Sequence, residues 1–261
     1  MSEPSPSSTL PRPRARLYAD ADLTAGTIVL EGGQAHYLKN VLRLPAGAVV
    51  ALFNARDGEI AAEIAAYSKT RVEFAAKGRL RAAAKPASDV WLVFAPIKRA
   101  HLEYQIEKAT ELGAAALWPV TTRRTNVERV NLERLRAIAT EAAEQSERLD
   151  VPEILPPATF ERALANWPAG RQLLVCDESG GGEALAASLA KEDLAKPWAI
   201  LTGPEGGFAP EEFAVLRKCA FVRFVGLGPR VLRADTAALA ALAVFQSLGP
   251  DAARPPRFEN N

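Results

Sequence analysis

Cysteine and histidine are nearly missing from this chain of 261 residues: Cys176, Cys219, His36 and His101 are the whole supply. Two cysteines cannot build a disulfide framework, and so sparse a set of Cys and His does not make a zinc site, so no metal is expected. Both cysteines sit in apolar, strand-like surroundings and read as buried, reduced thiols, which points to the cytoplasm. Long apolar runs are lacking too. No stretch reaches the roughly 18 residues of a membrane span, so no membrane partner is expected. The segment Ser2-Glu3-Pro4-Ser5-Pro6-Ser7-Ser8 has neither a basic nor an apolar stretch and does not read as a secretory signal. It reads as part of a disordered lead-in over residues 1–14. Neither sign of charge dominates, with 32 Lys/Arg against 31 Asp/Glu. Residues 1–85 nevertheless hold 12 Lys/Arg against 8 Asp/Glu, and the remainder 20 against 23. A basic N-terminal part on a neutral chain fits a polyanion partner. Hydrophobic content of 48% and charged content of 24% are those of a globular protein.

What stands out is a pair of glycine clusters. Ile200-Leu201-Thr202-Gly203-Pro204-Glu205-Gly206-Gly207-Phe208 is an apolar run that breaks into three glycines. The pattern returns as Phe224-Val225-Gly226-Leu227-Gly228-Pro229-Arg230-Val231-Leu232-Arg233. Glycine lets a backbone take positive φ and approach a ligand without a Cβ between them. Two such loops this close in sequence read as one ligand site made from two turns. Neither is a phosphate cradle: Gly-x-x-x-x-Gly-Lys-Ser/Thr and Gly-x-Gly-x-x-Gly are absent from both. Glu205 inside the first loop would repel a phosphate. The site suits a ligand without a polyphosphate, including a cationic one.

Around these loops the chain has two rhythms. Residues 15–82 read as short strands: Val49–Phe53, Ile60–Ala65 and the segment containing Val72 and Phe74, with a turn cluster at Asn54-Ala55-Arg56-Asp57-Gly58. This spacing fits a small barrel, interrupted by one helix over Gln34–Leu42 that places Leu38, Val41 and Leu42 on one face. Residues 82–88 read as a linker. Residues 88–250 then alternate strands at Val90–Phe94, Ala114–Trp118, Leu173–Cys176, Trp198–Leu201 and Phe221–Val225 with helical segments. That alternation predicts an α/β domain with a parallel sheet covered on both faces, and ligands beyond the carboxyl ends of the strands. An alanine-rich last helix over Asp235–Leu248 starts at a capping Asp235 and stops at Gly249-Pro250; it suits tight internal or dimer packing. Residues 251–261 read as a flexible tail.

The first glycine cluster, followed by Leu227-Gly228-Pro229-Arg230-Val231-Leu232-Arg233, resembles the signature of the SPOUT methyltransferases, and within them the 16S ribosomal RNA uridine-N3 methyltransferase family. Ile106-Glu107-Lys108-Ala109-Thr110-Glu111-Leu112-Gly113 is similar to that family's first core helix. Glu144-Gln145-Ser146-Glu147-Arg148 with Val151-Pro152 is similar to its second, and His36 with Val41-Leu42-Arg43 to its N-terminal segment. The resemblance spans nearly all of the chain after residue 15. It implies a PUA-like RNA-binding β-barrel, a C-terminal SPOUT domain with a deep trefoil knot, and a homodimer acting on 16S rRNA within the small ribosomal subunit. S-adenosylmethionine would be the co-substrate, held by Leu201, Thr202, Gly203, Pro204, Glu205, Gly206 and Gly207 and by Val225, Gly226, Leu227, Gly228, Arg230, Val231 and Leu232. Two departures are plain. Leu232-Arg233-Ala234-Asp235-Thr236-Ala237 stands where many members read Leu-Arg-Thr-Glu-Thr-Ala, and Arg123 stands where many have an acid.

The chemistry so implied is removal of the uridine N3 proton and methylation of an unpaired or flipped-out base. Arg233 and Arg124 are the candidates to stabilise the developing anion. The alternative for Arg230 and Arg233 is pairing with Glu205 or a dimer partner. Asp235 is the nearest candidate base, the alternative being a plain helix cap. Arg16, His36, Arg43 and Lys98 are the expected RNA contacts. Alternative functions are a non-catalytic RNA-binding or ribosome-assembly protein, and a tRNA methyltransferase of the same fold.

Overall fold

The structure is a computed structural model that describes residues 12–254 except Lys85, Ala87 and Glu128. The expected lead-in and tail therefore fall largely outside the described residues. The chain divides into two compact units, Met1–Lys85 with Ala143–Asp150, and Pro86–Ala142 with Val151–Asn261.

The first unit is built on β1 (Arg16–Tyr18), β2 (Thr27–Glu31), α1 (Gly33–His36), β3 (Val49–Asn54), β4 (Gly58–Tyr67) and β5 (Arg71–Arg81). The strands form one mixed sheet in the order β1-β3-β4-β5-β2. Ile28 and Leu30 of β2 and Val72 and Phe74 of β5 alternate with exposed neighbours, so one face of each strand meets the core. All six residues of β3 are buried. Register shifts between β4 and β5 at Glu59/Ile60, Ala61/Ala62 and Ile64/Ala66 bend this long pair around the core.

The expected single helix over Gln34–Leu42 is instead one α turn followed by a π-wound turn at Tyr37–Val41. The wider i→i+5 winding breaks the 3.6-residue period. Leu38 is fully buried, while Val41, expected on the same face, is 58% exposed.

Arg16, an expected RNA contact, is nearly buried inside this unit. Its guanidinium lies over the Phe53 ring, donates to the carbonyls of Ala143 (2.9 Å) and Arg148, and faces the fully buried Glu59 carboxylate at 3.4 Å. Arg81 donates Nε to the same carboxylate at 2.5 Å and Nη2 to the Glu147 carbonyl at 2.8 Å. Two guanidiniums thus compensate one buried carboxylate and hold residues 143–150 to the N-terminal unit. Arg16 is committed to this network and offers no free charge to a phosphate.

The second unit runs β6 (Val90–Phe94), α2 (Arg99–Glu111), β7 (Ala116–Thr121), α3 (Leu132–Gln145, whose last three residues belong to the first unit), β8 (Glu153–Ile154), β9 (Ala158–Thr159), α4 (Phe160–Ala165), β10 (Gln172–Cys176), β11 (Glu183–Ala184), α5 (Leu185–Leu189), β12 (Trp198–Thr202), α6 (Pro210–Leu216), β13 (Val222–Gly226) and α7 (Ala234–Leu248). Its sheet is parallel in the order β11-β13-β10-β12-β6-β7-β8, with β9 beside β7. Both faces are covered. Leu174 and Cys176 pack with α2, α5 and α7, while Leu173 and Val175 pack with α4 and α6. That is why β10 reads as a continuous apolar run and not an alternation.

Strand β7 starts two residues later than expected. Gly113 takes φ +84° and the Ala114 N–H bonds back to the Ala109 carbonyl, so the helix exit consumes those residues. In α7, Ala238, Ala241, Leu242 and Phe245 face the core. Cys219, expected to be buried, is partly exposed in the turn after α6.

Candidate active site

Strands β13, β10, β12 and β6 are consecutive neighbours in the sheet, and their carboxyl ends open on one cavity of about 890 Å³. In the chain, β12 follows β10 yet inserts between β10 and β6, and β13 crosses to the far side of β10. The strand order therefore reverses at β10, where loops diverge and leave a crevice.

Both glycine loops line it. From the first come Thr202, Gly203, Pro204, Glu205 and Gly207; from the second come Gly226, Leu227, Gly228, Arg230, Val231 and Leu232. Gly207 (φ +67°) and Gly228 (φ +99°) hold conformations that side chains rarely adopt, and a Cβ on Gly228 would stand in open space. Three expected positions do not line the cavity. Leu201 and Val225 are strand residues turned into the two cores, and Gly206 points its carbonyl away to accept from Arg124 Nη1 at 2.8 Å. Arg124 is thus a brace for the first loop and not a wall of the cavity. Its neighbour Arg123 uses its N–H to bond Glu212 Oε1 at 2.9 Å, beside the start of α6.

A third loop, missed in the sequence, completes the site. Cys176 ends β10 at the cavity, and Asp177, Glu178, Ser179 and Gly180 follow it there. Their signal was legible: Ser179-Gly180-Gly181-Gly182 after an apolar strand repeats the logic of the other two loops. A Cβ on Gly182 would sit 2.6 Å from the backbone of Val225, so only glycine allows this approach. Glu178 Oε1 accepts from the Phe208 N–H at 3.0 Å and locks the third loop to the first. Asp177 Oδ1 accepts from Ser179 N (2.8 Å) and Oγ (2.5 Å), while its buried Oδ2 has no partner among the described residues. Cys176 is a neutral thiol, its pKa pushed up to about 12 by burial and by the Glu178 charge.

Across the cavity, Asp235 is not the cap of α7. That position belongs to Arg233, whose side chain makes no capping bond. Asp235 instead lies two residues further on, within the first turn, accepting from its neighbour Thr236 N at 2.7 Å and meeting His101 Nδ1 at 2.8 Å. Burial works against its charge, but the bonds from His101 and Thr236 prevail and hold its carboxyl below the ordinary range. The other ring nitrogen, His101 Nε2, is 3.4 Å from Arg233 Nη1. Lys98, one of the expected RNA contacts, also lines the cavity, while His36 and Arg43 are exposed on the other unit.

Residues 84–246 match the RNA methyltransferase domain family and residues 30–76 the RNA methyltransferase PUA domain family. The chain is 36% identical to ribosomal RNA small subunit methyltransferase E of Rickettsia conorii over 220 residues, covering 82% of this chain and 86% of that one. This chain belongs to the ribosomal RNA small subunit methyltransferase E family. The Bacillus subtilis member is 31% identical, with 85% and 90% coverage. Among solved structures, the family member from Neisseria gonorrhoeae bound to S-adenosyl methionine has a TM-score of 0.79 at 27% identity and covers 90% of this chain and 98% of its own. A methyltransferase from Legionella pneumophila in complex with the bound cofactor SAM has a TM-score of 0.80 at 27% identity, with 91% and 98% coverage. The fold is thus the SPOUT α/β architecture with a PUA domain that the sequence resemblance implied.

Proposed function

We propose that this protein transfers a methyl group from S-adenosylmethionine to N3 of a uridine in 16S rRNA. The observation that carries the reading is the three-loop cavity at the carboxyl ends of four neighbouring strands, with Arg233 at its wall. Its groups fit the co-substrate. The partnerless Asp177 Oδ2, with Glu178 and Glu205, suits a ligand that carries positive charge, and the open space at Gly228 leaves room for backbone contact. S-adenosylmethionine supplies an electrophilic methyl on sulfur. The chain's own work is to hold a single uridine with N3 in line, exclude water, and balance the charge that grows on O2 and O4. Arg233 does the last of these. Positioning alone lowers such barriers by up to roughly 7–11 kcal/mol.

The PUA unit would dock the rRNA through exposed basic groups such as Arg43, with the small ribosomal subunit as the working context in the cytoplasm. The C2 homodimer and the trefoil knot of the family belong to the same proposal. Mass spectrometry of 16S rRNA nucleosides from cells with and without this protein tests it. Loss of N3-methyluridine supports the reading. An unchanged nucleoside profile, with the protein binding RNA normally, favours an assembly role.

A further inference from the structure

His101 lines the cavity, and the reading above gives it no role. It stands in the first turn of α2, 43% exposed, with Nδ1 against Asp235 and Nε2 beside Arg233. A carboxylate can only accept, so Nδ1 carries the proton in this pair; in the neutral ring Nε2 then presents the lone pair. Arg233 lies on that side as a donor. The two groups match adjacent positions of a uridine's Watson–Crick edge, where N3–H donates and the flanking O2 and O4 accept.

We propose, on the uridine-N3 reading above, that His101 is the base that takes the N3 proton and that Asp235 is its positioning residue. The N3–H bond breaks and its proton moves to His101 Nε2, giving an imidazolium held against the Asp235 carboxylate. The electron pair left on N3 forms the bond to the methyl carbon, and the carbon–sulfur pair returns to sulfur. Arg233 stabilises the negative charge on the uracil oxygens as the proton leaves. The imidazolium then releases its proton to solvent. This assignment explains why Asp235 alone is a poor base: its carboxyl is held in the ionised state by the bonds it already accepts.

The charged groups around the imidazole are accounted for. Lys98, just before α2, and Arg99, its first residue, precede it in the chain, Arg99 being paired with Glu103 at 2.7 Å. Arg233 faces it from the second loop and Asp235 from α7, while Arg230, Asp177, Glu178 and Glu205 line the same cavity.

The test uses the full chain with S-adenosylmethionine and 16S rRNA in small subunits. Single-turnover rates are followed against pH for wild type, His101→Gln and Asp235→Asn, with cofactor affinity measured by calorimetry. The expected result is a fall of at least about a hundredfold for His101→Gln. Its acid limb should vanish from the pH profile, with affinity within about threefold of wild type. Asp235→Asn should lose on the order of tenfold or more. Because the chain has only two histidines, the His101 ring nitrogens can be assigned by nitrogen-15 NMR from the signals absent in His101→Gln. The wild type should show the Nδ1–H tautomer, and Asp235→Asn should shift it toward Nε2–H. A His101→Gln rate within about threefold of wild type, or a loss recovered fully at saturating cofactor, overturns the proposal. So does an Nε2–H tautomer in the wild type. If wild type itself leaves uridine N3 unmodified, the function reading fails instead, which is a separate outcome.

Discussion

Asp235 Oδ2 lies 2.8 Å from His101 Nδ1, so the first turn of α7 is tied to the first turn of α2 across 134 residues of sequence. The carboxyl is held below its ordinary value of 3.8. A depressed folded pKa gives a contribution to stability that is fully present above the unfolded value and lost as pH falls through the folded one. Asp235→Asn should therefore unfold more easily than wild type near neutral pH, with the difference shrinking below pH 3.8. Thermal melts at the two conditions check this; an equal difference at both would mean that ionisation of Asp235 is not its source.

Gly228→Val should weaken S-adenosylmethionine binding strongly with the fold intact. The position has φ +99°, and the new side chain would enter the cavity. Gly206→Ala should do much less, because Gly206 lies outside the cavity and an added Cβ would meet only Arg124 at 3.4 Å. Calorimetric titration of both variants separates loop shape from loop composition.

Arg233→Ala should cut single-turnover methylation by about a hundredfold to a thousandfold while cofactor affinity falls far less, as expected for a donor that acts on developing charge. Arg124→Ala should instead act through the first loop, whose Gly206 carbonyl it holds, and should raise the cofactor dissociation constant. A near-normal rate for Arg233→Ala at saturating substrates removes it from the chemistry.

Glu59→Ala should destabilise the protein by about 3–5 kcal/mol, because two guanidiniums lose the carboxylate they share and Arg16 is nearly buried. Chemical denaturation measures it. A loss under about 1 kcal/mol would mean that the carbonyls of residues 143–148 suffice for both arginines.

Arg43→Gln should weaken RNA binding and lower the slope of log affinity against log salt by about one, the signature of a single lost phosphate contact. Filter binding across a salt series reads this directly. Deleting residues 1–82 would be a poorer test. It would strip the carbonyls of Ala143, Glu147 and Arg148 of their guanidinium donors and damage a segment that lies far along the chain.

Much of this architecture was legible. Strand β6 begins and ends where its apolar run does, and β10, β12 and β13 differ from the expected strands by one residue at either end. Runs buried on both sides, as in β10 and β12, leave no alternation to misread. The two glycine loops were equally plain, since positive φ at Gly207 and Gly228 demands a residue type that sequence displays. What failed was assignment of individual side chains. Leu201 and Val225, read as strand ends, were counted with the glycine loops as co-substrate contacts, yet the pleat turns them into the cores. The π turn at Tyr37–Val41 misplaced Val41 because the helical template assumes one winding.

The sequence by itself determined the family, the two rhythms of strand and helix, and the chemical character of a cavity without a phosphate cradle. Those are written in local patterns, because burial, backbone freedom and charge type belong to short segments. Tertiary structure alone decided which charges are free and which are spent. Arg16 and Arg233 are both arginines beside apolar runs, but one is sealed against Glu59 and the other opens on a ligand cavity. His101 is one of two histidines with no motif around it, and it acquires a role only because parallel strand order brings the start of α2 to the start of α7. Periodicity records how deeply a residue is buried; it carries no information about which distant residue will stand against it.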